Sequence, residues 1–185
     1  PTVHEGRVYL ANVDNLVYAL EAADGVLAWR HAQRSDPGRK AELELYGAPS
    51  PTLVGDQVLT GHSDGTIVAI DVNSGEVAWQ RRVGEGRFPD VISEPLVVGT
   101  YAVVAGYTEP LLSLDTTSRN VRWRIDVGGA QPPVLSKEKD GRMLFHGGVD
   151  GVLRGVDIIT GAVGWEWDSE TSGALTSPVA TEAGL

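Results

Sequence analysis

Four acidic residues recur at one place in a repeated phrase, and they are the first candidates for chemistry. Glu21, Asp71, Asp115 and Asp157 each stand eight positions before a tryptophan: Trp29, Trp79, Trp123 and Trp165. Converging carboxylates could act as general acid and base, or hold a cation. The regularity argues otherwise, because a catalytic acid is needed once and a residue present in every repeat serves the scaffold. Each acid precedes a turn, where a carboxylate oxygen can accept backbone N–H bonds. The tryptophans read the same way. A large ring at equivalent outer-strand sites can lie across the gap to the next unit and offer its indole N–H there. All eight residues are therefore expected to be structural. Trp167 stands off the column and is expected to pack. The four histidines, His4, His31, His62 and His146, fall in different columns with no His-x-x-x-His spacing, and are expected at surface or strand polar positions. The chain has no phosphate-cradling glycine loop and no nucleophile elbow. No catalytic residue, metal site or cofactor is assigned.

The connections between repeats are less uniform. Arg30–Lys40 carries four positive charges against one negative, in a chain of net charge −10. The following stretch, Ala41–Ala48, alternates acidic and apolar residues and then offers Tyr46. Long connections on rigid scaffolds often carry binding function. A solvated loop and a protein-binding loop are both open readings here. The connection Gly84–Glu94 also mixes charge with bulky apolar groups.

These residues must be positioned by a repeat. The tryptophans are spaced 50, 44 and 42 residues apart (79−29, 123−79, 165−123), which marks one supersecondary unit in series. The second repeat shows its parts. Pro51-Thr52-Leu53-Val54, Val58-Leu59-Thr60, Thr66–Ile70 and Glu76–Gln80 are apolar, β-branched runs separated by Gly55-Asp56, Asp64-Gly65 and Asn73-Ser74-Gly75. Four short strands in a meander of about 40–45 residues are the size of a propeller blade. The expected class is all-β, a β-propeller of four-stranded antiparallel blades. Expected blades are 1–30, 49–83, 93–127 and 131–168, with 175–185 opening a fifth, as part of a ring of about seven or eight. The third repeat is the most worn: Thr108-Glu109 replaces Asp-Gly, and Arg119 takes the glycine column. With Asn120 beside it, that turn is expected to shift by one, because Asn tolerates positive φ.

Composition limits the function classes. The chain has no cysteine, hence no disulfide and no thiolate metal site. The acidic balance argues against a nucleic-acid partner, which needs a basic face. No apolar run approaches the roughly 18 residues of a membrane span. Blades cover one another, so the outer faces of the end blades are expected to drive self-association.

The phrase Ala69-Ile70-Asp71-Val72-Asn73-Ser74-Gly75-Glu76-Val77-Ala78-Trp79 resembles the signature of the PQQ-like propeller repeat, and all four repeats carry enough of it to cover nearly the whole chain. Within that superfamily the chain is most similar to the BamB family of the outer-membrane β-barrel assembly machinery. Leu43-Glu44-Leu45-Tyr46-Gly47-Ala48-Pro49-Ser50-Pro51-Thr52 and Arg87-Phe88-Pro89-Asp90-Val91-Ile92-Ser93-Glu94-Pro95 carry that likeness. The resemblance implies a non-enzymatic periplasmic scaffold, held to the outer membrane by a lipid anchor outside this segment. It implies binding to a BamA-like periplasmic domain and to unfolded outer-membrane proteins. It assigns the partner contact to Leu43, Leu45, Tyr46, Arg87 and Asp90. Tyr46 stands where the family has Arg, and Ile92 where it has Asp, so two charged contacts differ. The alternatives are a quinoprotein dehydrogenase using pyrroloquinoline quinone and Ca²⁺, or an extracytoplasmic sensor propeller.

Overall fold

Strand follows strand along the described chain, and each sheet is built from four that are consecutive in sequence. The computed structural model describes residues 1–33, 48–84, 90–129, 131–137 and 141–180. The first sheet holds β1 (Thr2–His4), β2 (Arg7–Ala11), β3 (Leu16–Glu21) and β4 (Leu27–Ala32). The second holds β5 (Thr52–Val54), β6 (Gln57–Gly61), β7 (Thr66–Asp71) and β8 (Val77–Arg82). The third holds β9 (Leu96–Val98), β10 (Tyr101–Val104), β11 (Leu111–Asp115) and β12 (Val121–Ile125). The fourth holds β13 (Val134–Leu135), β14 (Met143–Gly147), β15 (Val152–Asp157) and β16 (Val163–Asp168). Every sheet runs in sequence order with antiparallel neighbours, so each is a meander blade. The fold is the all-β propeller architecture that the repeat predicts.

The blades share one register down to an irregularity. Trp29, Trp79, Trp123 and Trp165 pair with Ala19, Ala69, Ser113 and Gly155, and the pairing slips by one residue immediately afterwards in all four. One extra residue on the fourth strand, Ala28, Ala78, Arg122 or Gly164, makes this bulge, which adds local twist beside the Trp. The small residue opposite leaves room for the ring. A Cβ on Gly155 would stand 2.4 Å from Cε2 of Trp165.

The core is a set of layers between blades. Tyr9, Val17, Ala19 and Trp29 pack against Val58, Val68, Ile70 and Val72. Leu59, Ile67, Ala69 and Trp79 pack against Ala102, Val104, Leu112 and Leu114. Val103, Leu111 and Trp123 pack against Leu144, Val156 and Ile158. A middle blade is covered on both sides, so β7 buries Thr66 through Ile70 without alternation. That is why its sequence reads as a continuous apolar run. The innermost strands also meet from blade to blade: the hydroxyl of Thr2 donates to the carbonyl of Pro51, and that of Thr52 to Pro95 at 2.9 Å.

Two tryptophans of the column donate their indole N–H across a blade boundary, and a third keeps it within its own blade. Trp29 Nε1 donates to the Val72 carbonyl at 2.9 Å, and Trp123 Nε1 to Ile158 at 2.9 Å, each across a blade boundary. Close approach is possible because the ring lies on a glycine in the next blade. A Cβ on Gly75 would fall 2.7 Å from Cγ of Trp29, and one on Gly161 2.5 Å from Cγ of Trp123. The third blade has Arg119 in that column, and Trp79 turns its N–H to Gln57 of its own blade at 3.1 Å. The expected shift of this turn to Asn120 does not occur. Arg119 itself takes φ +63°, and its N–H bonds the Asp115 carbonyl at 2.7 Å, as Gly75 bonds Asp71. The i→i+4 bond fixes the turn's length, so the left-handed position stays in place whatever residue occupies it.

The acidic column behaves as turn chemistry in three blades. Asp71 Oδ1 accepts from the N–H groups of Asn73 and Ser74 at 3.0 and 2.8 Å, and Asp157 and Asp115 do the same in their turns. The Ser118 N–H, with the Arg122 guanidinium beside it, lowers the Asp115 carboxyl to about 2. Glu21 differs. It pairs with Arg7 at 3.0 Å, while Asp24 accepts the Val26 N–H of that turn.

Candidate protein-binding surface

Of the five residues that the family resemblance assigns to a partner, four fall in segments 34–47 and 85–89: Leu43, Leu45, Tyr46 and Arg87 lie outside the described residues. The fold does describe where both segments are attached. Each connects the outer strand of one blade to the inner strand of the next, and both depart from the same bond in adjacent blades. The Gln33 N–H donates to the Asn15 carbonyl at 3.1 Å, and the Val83 and Gly84 N–H groups donate to the Gly65 carbonyl at 2.8 and 3.1 Å.

These departure points are joined through the second-blade turn His62–Gly65. Asn15 takes a left-handed φ of +59° in the column of Gly65, and its side chain grips that turn twice: Nδ2 donates to Ser63 Oγ at 2.7 Å, and Oδ1 accepts the Ser63 N–H at 3.0 Å. Gln33 Nε2 reaches Asp64 Oδ2 at 3.4 Å. Asp64 Oδ1 in turn accepts the Thr66 N–H at 2.9 Å, which holds the turn itself. The returning end of the second connection meets the same turn, with the Val91 N–H on the His62 carbonyl at 3.2 Å. The turn is therefore a hub: the 34–47 connection leaves from it, and the 85–89 connection both leaves from and returns to it.

The returning end is closely packed. Val91 is buried, and a Cβ on Gly61 would stand 2.4 Å from its carbonyl oxygen. Asp90 is also buried, its carbonyl 2.3 Å from where a Cβ on Gly106 would sit, so its backbone runs hard against the third blade. Ser93 completes the attachment. Its Oγ accepts the Ala105 N–H at 2.8 Å, and its own N–H donates to the Ala105 carbonyl at 3.2 Å. Asp90 is thus placed at the base of the connection, next to segment 85–89.

Two histidines expected at surface or strand polar positions prove to be core groups. His62 belongs to the hub and is 2 % exposed; His146, on β14, is wholly buried. Burial pushes both imidazoles down to about 4, with His31 adding to the shift at His62 and Asp64 opposing it. His62 Nε2 and both ring nitrogens of His146 lack a hydrogen-bond partner of good geometry. Both are held neutral at ordinary pH. Among the described residues no cluster of three or more His, Asp or Glu side chains is placed to hold a metal ion. Sequence reasoning found the Asp64-Gly65 turn but missed Asn15, Gln33 and Ser63. Their only signal was Asn15 in a glycine column.

Comparison with known proteins places this geometry in a family. A BamB from Moranella endobia is 26% identical over 186 residues, covering 97% of this chain and 46% of its own. The crystal structure of BamB from Moraxella catarrhalis superimposes with a TM-score of 0.76 at 22% identity, over 90% of this chain and 50% of that one. The quinohemoprotein alcohol dehydrogenase ADHIIG from Pseudomonas putida HK5 gives 0.81 at 18% identity, over 94% of this chain and 34% of that one. The last two likenesses establish the shared propeller backbone, which the score measures, and nothing about chemistry. The chain spans about half the length of the relatives it matches. The model of the family described as outer membrane protein assembly factor BamB matches residues 1–166, and the chain belongs to that family.

Proposed function

We propose that this chain is a protein-binding scaffold of the outer-membrane assembly apparatus, acting at the periplasmic face of the outer membrane and performing no chemistry of its own. The family match supports the setting. The hub turn supports the surface: the described residues that flank 34–47 and 85–89 meet on one turn between adjacent blades. Leu43 and Leu45 supply apolar anchors there, Tyr46 an aromatic one, and Arg87 a charged edge, the composition of a small hot spot. Asp90 supports the segment from its base. The partner is a BamA-like periplasmic domain, with unfolded outer-membrane proteins as clients.

The test is calorimetry with the BamA-type domain from the same source. Leu45→Glu is expected to weaken binding at least tenfold, a loss of about 1.4 kcal/mol, with circular dichroism unchanged. Tyr46→Arg is expected to keep or strengthen it. Binding of Leu45→Glu equal to that of the parent would remove this surface from the interface.

A further inference from the structure

The second and third blades, each covered by a neighbour on both sides, expose three large apolar groups among the described residues: Val77, Val121 and Tyr107. Val77 and Val121 open β8 and β12 as Leu27 and Val163 open β4 and β16, so their exposure belongs to the repeat. Tyr107 is different. It stands eight residues before Asp115, in the column of Val13, Ser63 and Val149, and is the one aromatic there. It is 41% exposed, and its hydroxyl has no hydrogen-bond partner among the described residues. The register explains why. Ser63 is held from the preceding blade by the side chain of Asn15. The residue that would hold Tyr107 in the same way is Gly65, which has no side chain.

We propose that Tyr107 anchors the partner surface on the third blade, entering an apolar recess edged by basic side chains on the bound periplasmic domain; the inference rests on the protein-binding reading above. Position supports it. Neither Gly106 nor Gly128 has room for a Cβ: the Asp90 carbonyl fills the one place and the Tyr107 carbonyl the other. The Gly129 N–H donates to the Gly106 carbonyl at 2.9 Å. The turn is thus packed between the return of the 85–89 connection and the connection to the fourth blade. A partner seated on Asp90 meets Tyr107 next. Side-chain chemistry supports it as well. A tyrosine supplies a large contact area at a small cost in side-chain entropy, and tyrosines are frequent among the residues that dominate binding. Charge defines the partner. Residues 62–65 and 90–109 carry Asp64, Asp90, Glu94 and Glu109 and neither Lys nor Arg. A complementary face therefore presents basic side chains around the recess.

The experiment is calorimetry and stopped-flow association with the BamA-type domain from the same source, over a range of salt. Tyr107→Ala is expected to raise the dissociation constant about thirtyfold, the scale of a hot-spot loss. Tyr107→Phe should stay within about threefold of the parent, because the ring supplies the contact. Val121→Ala, equally exposed but on the outer strand, should bind as the parent does. The urea midpoint of Tyr107→Ala should match that of the parent, since the side chain is exposed and unbonded. Added salt should slow association of the parent, as opposite charges across the interface require. A parent that does not bind the domain would overturn both the protein-binding reading and this inference. A parent that binds, with Tyr107→Ala within about twofold of it, would overturn the inference alone and leave that reading standing. Weak binding by Tyr107→Ala together with a lowered urea midpoint would assign the residue to the fold instead, and an association rate that salt does not lower would remove the basic edge.

Discussion

Replacing Gly75 by alanine separates two costs that usually come together. Gly25, Gly75 and Gly161 occupy the same turn position and share φ +74°. An alanine at any of them bears the same left-handed backbone penalty, about 1–2 kcal/mol. Only the neighbour differs. At Gly75 the new methyl would fall 2.7 Å from Cγ and 2.8 Å from Cδ2 of Trp29; at Gly161 it would fall 2.5 and 2.7 Å from the same atoms of Trp123; at Gly25 it meets nothing within 4 Å. Carbon atoms settle at about 3.5–4.0 Å, so the ring must retreat by roughly 1 Å. Overpacking of this kind costs about 1–3 kcal/mol, and retreat strains the indole bond to Val72, which contributes about 1 kcal/mol. Gly25→Ala is therefore expected to cost about 1–2 kcal/mol, and Gly75→Ala and Gly161→Ala about 3–6 kcal/mol. The assay is urea unfolding followed by tryptophan emission. Midpoints should fall while the denaturant slope stays constant. A Trp29→Leu background should remove the excess at Gly75 but not the common part, which makes the coupling measurable as a cycle. Equal losses at Gly25 and Gly75 would refute the reasoning, since the tryptophan seat would then contribute nothing.

Two further outcomes follow from the same features. His62 and His146 are held near 4 by burial, below the ordinary histidine value of about 6.5. The unfolded chain therefore binds more protons between those values. Stability is full above about pH 6.5 and falls as the pH drops toward 4, by about 2 kcal/mol for each histidine at pH 5. Urea midpoints between pH 7.5 and 5 should show this, and His62→Gln with His146→Gln should flatten the curve; an unchanged slope in the double variant would assign the loss elsewhere. Trp123→Phe removes the indole donor from the Ile158 carbonyl, at a cost of about 1–3 kcal/mol beyond lost ring area, whereas in Trp29→Phe the Val72 carbonyl keeps Arg7 Nη1 at 3.0 Å and the Tyr9 hydroxyl at 3.4 Å, so the loss beyond ring area should be smaller. Trp79→Phe should cost less, because its acceptor is the side chain of Gln57, and the order of the three midpoints checks this.

The repeat was legible because its signals are local. A strand needs only alternating or continuous β-branched residues, and a tight turn needs Gly, Asn or Asp at fixed offsets. The sixteen strands of the described residues, their grouping in fours and the equivalence of Trp29, Trp79, Trp123 and Trp165 follow from residue type and spacing. Even the carboxylate turns of Asp71, Asp115 and Asp157 could be anticipated, because acceptor and donors lie within three residues. The tertiary structure decided what depends on residues far apart in the chain. Trp29 crosses a blade boundary to Val72, and Trp79 does not cross because Arg119, forty positions on, fills the seat that glycine leaves open elsewhere. His62 and His146 look like polar strand residues until neighbouring blades close over them. Asn15, Gln33 and Ser63 carry no motif, and become a hub only when adjacent blades bring one turn against another. A repeat determines which residues are equivalent. The departures from equivalence arise from packing between units, and no window of the sequence contains both partners.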